Sequence, residues 1–99
     1  MDQLVNQVIE ALGYQWIDED SKKALTFQVK EGAMFLKNLD PSIDFEEDSW
    51  CFGLLVAYVV YTRSNAGDQF RKNYRNDLLI LADRGRSGPD LEDSEDAGA

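Results

Sequence analysis

Histidine is absent from this 99-residue chain, cysteine occurs once and proline twice. Without histidine the sequence lacks the commonest general base and the commonest metal ligand. A single cysteine, Cys51, excludes an intramolecular disulfide. Its place inside the most apolar stretch makes it read as a small buried hydrophobe. There is no glycine-rich phosphate loop, and no internal repeat. Positive charge is scarce: 10 Lys and Arg stand against 19 Asp and Glu, a formal net charge of −9. A surface of that sign keeps monomers apart and argues against direct binding to a phosphate backbone. The start, Met1-Asp2-Gln3-Leu4, has neither the basic region nor the apolar core of a secretory signal, so action in, or assembly from, the cytoplasm is expected. No apolar run reaches the about 20 residues that a membrane span needs. At this length the expectation is one domain with one core and little room for a deep catalytic cleft, hence no enzyme and no cofactor.

Against this polar background one stretch stands out. From Trp50 to Tyr61 every residue except Gly53 is apolar or aromatic. The run is too long for an ordinary strand of about 5–6 residues. As a helix over 48–64, apolar round most of its circumference, it predicts the centre of the core with neighbours on several sides. Ser49 and Asp48 stand where an N-cap belongs, with Glu46 and Glu47 close to the positive end of the helix dipole.

The remaining segments predict helices around it. Leu4, Val5, Val8, Ile9 and Leu12 recur at steps of three and four, with Asp2 as a cap and Gly13 as the stop. Tyr14, Trp16 and Ile17 are too apolar for a solvated loop and are expected to pack back onto the core. Asp18 or Asp20 caps a second helix over 19–38, whose stripe is Leu25, Val29, Gly32, Leu36 and Leu39. Phe27, Met34 and Phe35 lie partly off that stripe; they either widen it or meet another subunit. Gly32 in mid-helix costs about 1 kcal/mol relative to alanine and suits a close helix crossing. Asp40-Pro41 ends the helix, because a residue before proline avoids helical geometry. Ile43 and Phe45 anchor the connection. After a turn at Asn65 and Gly67, a last helix is expected over 68–83, with Phe70, Tyr74, Leu78 and Leu81 inward and Ile80 widening the stripe. The fold class is therefore all-α: a bundle of about four helices around a hydrophobic central one, residues 1–84. From Gly85 the chain reads as a linker and then an acidic tail, residues 85–99, with Arg86 as its one base against Asp90, Glu92, Asp93, Glu95 and Asp96. That composition cannot fold alone and is expected to order on docking to a partner.

No catalytic or metal constellation stands out. The acidic clusters Asp18/Glu19/Asp20 and Asp44/Glu46/Glu47/Asp48 lack calcium-loop spacing and sit at helix starts, where carboxylates belong. Two features point to protein contacts. One is the abundance of aromatics, among them Trp16, Phe27, Phe35, Trp50, Tyr58, Tyr61, Phe70 and Tyr74, which serve either a core or an interface. The other is charge segregation, with bases at 71–75 and 84–86 and acids at 18–20, 44–48 and 90–96. A basic face on one copy can meet an acidic face on the next and close a ring. Arg71, Lys72, Arg75, Arg84, Arg86, Asp90, Leu91 and Glu92 are the candidate interface residues.

Two segments resemble the head–tail connector (adaptor) proteins of long-tailed bacteriophages. One is Ile17-Asp18-Glu19-Asp20-Ser21-Lys22-Lys23-Ala24-Leu25, an acidic cap opening a long helix after a short one. The other is Leu54-Leu55-Val56-Ala57-Tyr58-Val59-Val60-Tyr61-Thr62-Arg63, a hydrophobic helix closing on an aromatic and an arginine. The resemblance covers about residues 1–84; the family often has a shorter, proline-marked turn where this chain has its acidic stretch after Pro41. It implies a structural virion protein, assembled in the host cytoplasm, that forms a ring of copies of itself, commonly twelve, beneath the portal protein at the head–tail junction. Such a ring extends the DNA channel and offers a platform to the next neck, stopper or tail protein, without touching a membrane. Genomic DNA passes through the lumen without specific binding, and a negatively charged wall lets it slide. The alternative from another class is an acidic DNA mimic that inhibits a host nucleic-acid-binding protein; its carboxylates would have to be spaced like phosphates along one face. A helical DNA-binding regulator would need a basic recognition helix, and only 71–75 offers one.

Overall fold

The computed structural model describes residues 2–14 and 16–87, which form five helices and no strand. They are α1 (Asp2–Ala11), α2 (Glu19–Leu39), α3 (Ser49–Arg63), α4 (Gly67–Asn73) and α5 (Arg75–Ser87). The all-α bundle around a hydrophobic central helix is thus what forms. α3 packs on α2 and on α4, α5 packs on α2 and α4, and α1 lies against α2. Leu25, Val29 and Leu36 of α2, Leu55 and Val59 of α3, and Leu81 of α5 are fully buried where these elements meet. Ile43 and Phe45, in the connection between α2 and α3, are buried as expected.

Helix ends follow from local chemistry. Asp18 Oδ1 accepts the Ser21 N–H at 3.0 Å and caps α2; Asp48 Oδ1 accepts the Cys51 N–H at 3.1 Å and caps α3. Each side chain satisfies a backbone donor that the first helical turn leaves without a partner. Gly13 takes a φ of +85°, its N–H bonds the Glu10 carbonyl, and the Tyr14 N–H bonds the Ile9 carbonyl, a Schellman closure of α1. Asn65 (φ 57°) closes α3 in the same way, with Asn65 N–H to Thr62 and Ala66 N–H to Tyr61. The turn chemistry there is Asn65 alone, since Gly67 already begins α4.

Four expectations need correction. Asp2 lies inside α1 rather than ahead of it. Trp16 is 79 % exposed and Tyr14 39 %, so of Tyr14, Trp16 and Ile17 only Ile17 packs against the core. The last helix is interrupted at Tyr74 (φ −108°, ψ 20°), which separates α4 from α5. Finally, Gly85, Arg86 and Ser87 continue α5 instead of starting a linker. Packing explains this last difference. A Cβ placed on Gly85 would stand 1.8 Å from the Leu39 carbonyl oxygen and 2.9 Å from Asp40 Cα, so α5 crosses the end of α2 backbone to backbone. Composition marks a glycine as a breaker; here it is what permits the approach.

Candidate interaction surface

Aromatic rings seat α4. Phe70, 1 % exposed, has the rings of Phe35, Tyr58, Tyr61 and Tyr74 around it at centroid distances of 5.0 to 6.4 Å. These edge-on and stacked pairs are worth about 0.5–1.5 kcal/mol each beyond their burial. They answer the question that aromatic abundance left open. Phe35, Trp50, Tyr58, Tyr61, Phe70 and Tyr74 serve the interior, whereas Trp16 and Phe27 (65 % exposed) face outward.

With Phe70 as anchor, α4 and α5 turn a basic surface outward. Arg71, Lys72, Arg75 and Arg86 are all exposed. Arg75, Leu79 and Arg86, four and seven residues apart, share one face of α5. Leu79 and the adjoining Ile80 are 55 % and 54 % exposed. Ile80 therefore does not widen the core stripe. Arg71 lies 3.6 Å from Asp68 and over the Phe35 ring at 5.9 Å; Arg86 lies 2.9 Å from Asp83. Such solvated pairs contribute about 0–1 kcal/mol and exchange readily for a partner's carboxylate. The exposed acids Glu19 and Asp20 open α2, and Asp44, Glu46 and Glu47 lie in the connection before α3.

Arg84 is placed differently. Its guanidinium stands 3.0 Å from Asp40 Oδ2 and 3.4 Å from Asp48 Oδ2, with its carbon 5.5 Å from the centre of the Trp50 ring. It ties α5 to the C-terminal end of α2 and the N-terminal end of α3. Asp40 is 2 % exposed. Its Oδ1 accepts the Ser42 N–H at 3.0 Å and the Ser42 hydroxyl at 2.6 Å, and its Oδ2 has the Arg84 charge as counterpart without an aligned hydrogen bond. Burial pushes the Asp40 carboxyl up, but the Ser42 hydrogen bonds and the Arg84 charge outweigh it and hold it below the usual carboxylate range. The Cys51 backbone hydrogen bond, with Arg84, holds Asp48 low against its own burial. The Cys51 thiol, buried and donating to Asp48 Oδ2 at 3.3 Å, is pushed up to about 11 by burial and then by that carboxylate. Of the candidate interface residues, Arg84 is thus engaged within the chain. Asp90, Leu91 and Glu92 lie outside the described residues.

A second basic feature escaped the reading of charge along the chain. Lys23, Phe27, Lys30, Met34 and Lys37 follow one another at four, three, four and three residues on the outer face of α2, and all five are exposed. None of these lysines has an ion-pair partner among the described residues. The signal was available: the stripe has the period of the core stripe two residues away. Where α1 crosses this face, Leu4, Ala33, Met34 and Phe45 line a cleft of about 320 Å³ with Lys30 and Lys37 at its edge. A wider, shallower hollow of about 570 Å³ lies between α1 and the start of α3, with Glu10 and Glu46 as its charges. Among the described residues no three His, Cys, Asp or Glu side chains gather as a metal set, and no helix is long and apolar enough to cross a membrane. Comparison with protein-family models, curated proteins and solved structures finds no match to this chain.

Proposed function

We propose that the chain is a non-enzymatic assembly subunit, and specifically a head–tail connector of a long-tailed bacteriophage that forms a ring beneath the portal. The observation that carries the assembly reading is the outward basic and apolar ridge of α4–α5, with Arg75, Leu79, Ile80 and Arg86 exposed together on a chain of net charge −9. Exposed aliphatic residues among arginines suit a protein contact, whose centre is apolar and whose rim is charged. The complementary exposed acids Glu19, Asp20, Asp44, Glu46 and Glu47 lie on other elements of the same chain, as a heterologous contact between identical copies requires. The narrower connector assignment rests on the resemblance of residues 17–25 and 54–63. In that setting the acidic balance serves a lumen through which DNA slides.

The test is light scattering on the purified chain, alone and mixed with the portal protein of the same genome. A species of about 11 kDa that joins the portal in a ring-sized complex supports the connector. A chain that stays monomeric, ignores the portal and instead inhibits a DNA-binding enzyme one-to-one overturns it in favour of a DNA mimic.

A further inference from the structure

The Lys23–Lys37 stripe of α2 is unpaired within the described residues and borders an apolar cleft, so its natural ligand is an anionic segment carrying an apolar side chain. We propose that the ligand is residues 90–96 of a second copy of this chain, with Leu91 entering the cleft formed by Leu4, Ala33, Met34 and Phe45. The proposal deepens the reading of the chain as a self-assembling subunit but does not depend on the portal.

Charge complementarity selects this occupant. Residues 90–96 hold five carboxylates and no base, and Leu91 is the one large apolar side chain between Gly88 and Ala99. Among the described residues, lysines are the only charged residues lining the cleft. Lys37 also lies over the Phe45 ring at 5.9 Å, so its stem roofs the cleft while its ammonium stays at the edge. The neighbouring hollow around Gln3 and Ile43 shares Leu4, Lys37 and Phe45 with the cleft and carries Asp44 and Glu46. Those carboxylates repel an acidic segment and direct it toward the Lys30 end.

Reach selects a second copy over the same one. Ser87 is the last described residue of α5, and Gly85 abuts the Leu39 carbonyl. Leu39 lies about half a helical turn around α2 from Lys30 and Lys37. The four residues from Ser87 to Leu91 span at most about 14 Å. Rounding a helix of about 10–12 Å diameter takes about 16–19 Å, before any rise along its axis. Leu91 would therefore reach the cleft of its own chain only at full stretch, while that of a neighbour is unrestricted. The contact is head-to-tail, and its repetition closes a ring when the rotation allows.

Sedimentation velocity on the full chain tests this without any portal. The wild type should gain mass with concentration at low salt. Lys30→Glu/Lys37→Glu, changed only at exposed positions, should need about tenfold more protein for the same association, the effect of about two exposed charge pairs. Adding Asp90→Lys, Glu92→Lys and Asp93→Lys to that same chain should restore it. Association unaffected by the lysine reversal, or not restored by the reversed tail, overturns the proposal, as does protection of the tail that is independent of concentration and so arises within one chain. Portal binding that survives such a failure leaves the connector reading standing and removes only this contact.

Discussion

Arg84 is the residue on which three helix ends depend. Asp40 is buried and Asp48 caps α3, and both carboxylates lean on this one guanidinium. Arg84→Met keeps much of the stem and removes the charge. Breaking a buried pair costs about 3–5 kcal/mol. The Arg84 side chain is 39 % exposed, so water screens part of that, and a loss of about 1–3 kcal/mol is expected in urea unfolding. Trp50 emission should shift with it, because the cation leaves the ring. The pH dependence has a definite sign. Asp40 and Asp48 titrate lower in the folded chain than unfolded. Their contribution is full above the unfolded carboxylate value of about 3.9 and is lost as pH falls through the folded values. Unfolding free energy measured from pH 5 down to 2 should therefore fall more steeply in the wild type than in Arg84→Met; equal slopes would remove Arg84 from the account. Cys51, with its thiol pushed up to about 11, should resist aromatic disulfide reagents at pH 8 until denaturant opens the core. Labelling of the native chain at the rate of a free thiol would contradict the burial of Cys51.

At the scale of elements, three glycines in helices separate three situations. Gly32 sits where α2 crosses α3, and a Cβ there would meet the Tyr58 ring at 2.7 Å and Leu55 at 2.9 Å. Overpacking of about 1–3 kcal/mol outweighs the gain of about 1 kcal/mol in helix propensity, so Gly32→Ala should lose about 1 kcal/mol. Gly85→Ala meets backbone, which cannot rotate away. It should lose at least about 2 kcal/mol, or roughly 8–16 °C in melting temperature at about 4–8 °C per kcal/mol. Among the described residues a methyl added at Gly53 would meet nothing within 4 Å beyond its chain neighbours and its own helix's backbone, and Gly53→Ala should stabilise the chain by about 0.5–1 kcal/mol. Thermal melts of the three variants check the order; a stable Gly85→Ala would mean that α5 does not cross α2 at contact distance.

For the whole molecule, the long-range field and the local pairs respond oppositely to salt. A net charge of −9 destabilises the compact state by self-repulsion. Screening falls mainly on exposed charges more than about 10 Å apart and much less on a partly buried pair such as Arg84 with Asp40. Raising sodium chloride from 10 to 150 mM, values at which the screening length shrinks from about 30 to 8 Å, should therefore raise the melting temperature. A fall would mean that exposed pairs such as Arg86 with Asp83 contribute more than their geometry allows.

Sequence alone determined the courses and starts of α2 and α3, because these are local matters, but not the break at Tyr74 that separates α4 from α5. The 3.6-residue period of Leu25, Val29 and Leu36, the caps at Asp18 and Asp48 and the stop before Pro41 are read from neighbours in the chain, and they stand in the structure. The burial of Cys51, Leu54, Leu55 and Val59 in the 50–61 run follows from its composition in the same way, although Val60 is 42 % exposed, as does the close crossing at Gly32. Tertiary structure decided what each basic residue faces. Arg84 and Arg86 are two positions apart, yet one meets a buried carboxylate from 44 residues away and the other an exposed one on its own helix. It also decided that Gly85 joins two helices instead of ending one, that Trp16 and Ile80 stay in water, and that a lysine stripe borders an apolar cleft. For Arg84, Gly85 and the lysine stripe the partner comes from a distant segment, and only the packed arrangement of α1, α2, the 40–48 connection and α5 brings it there.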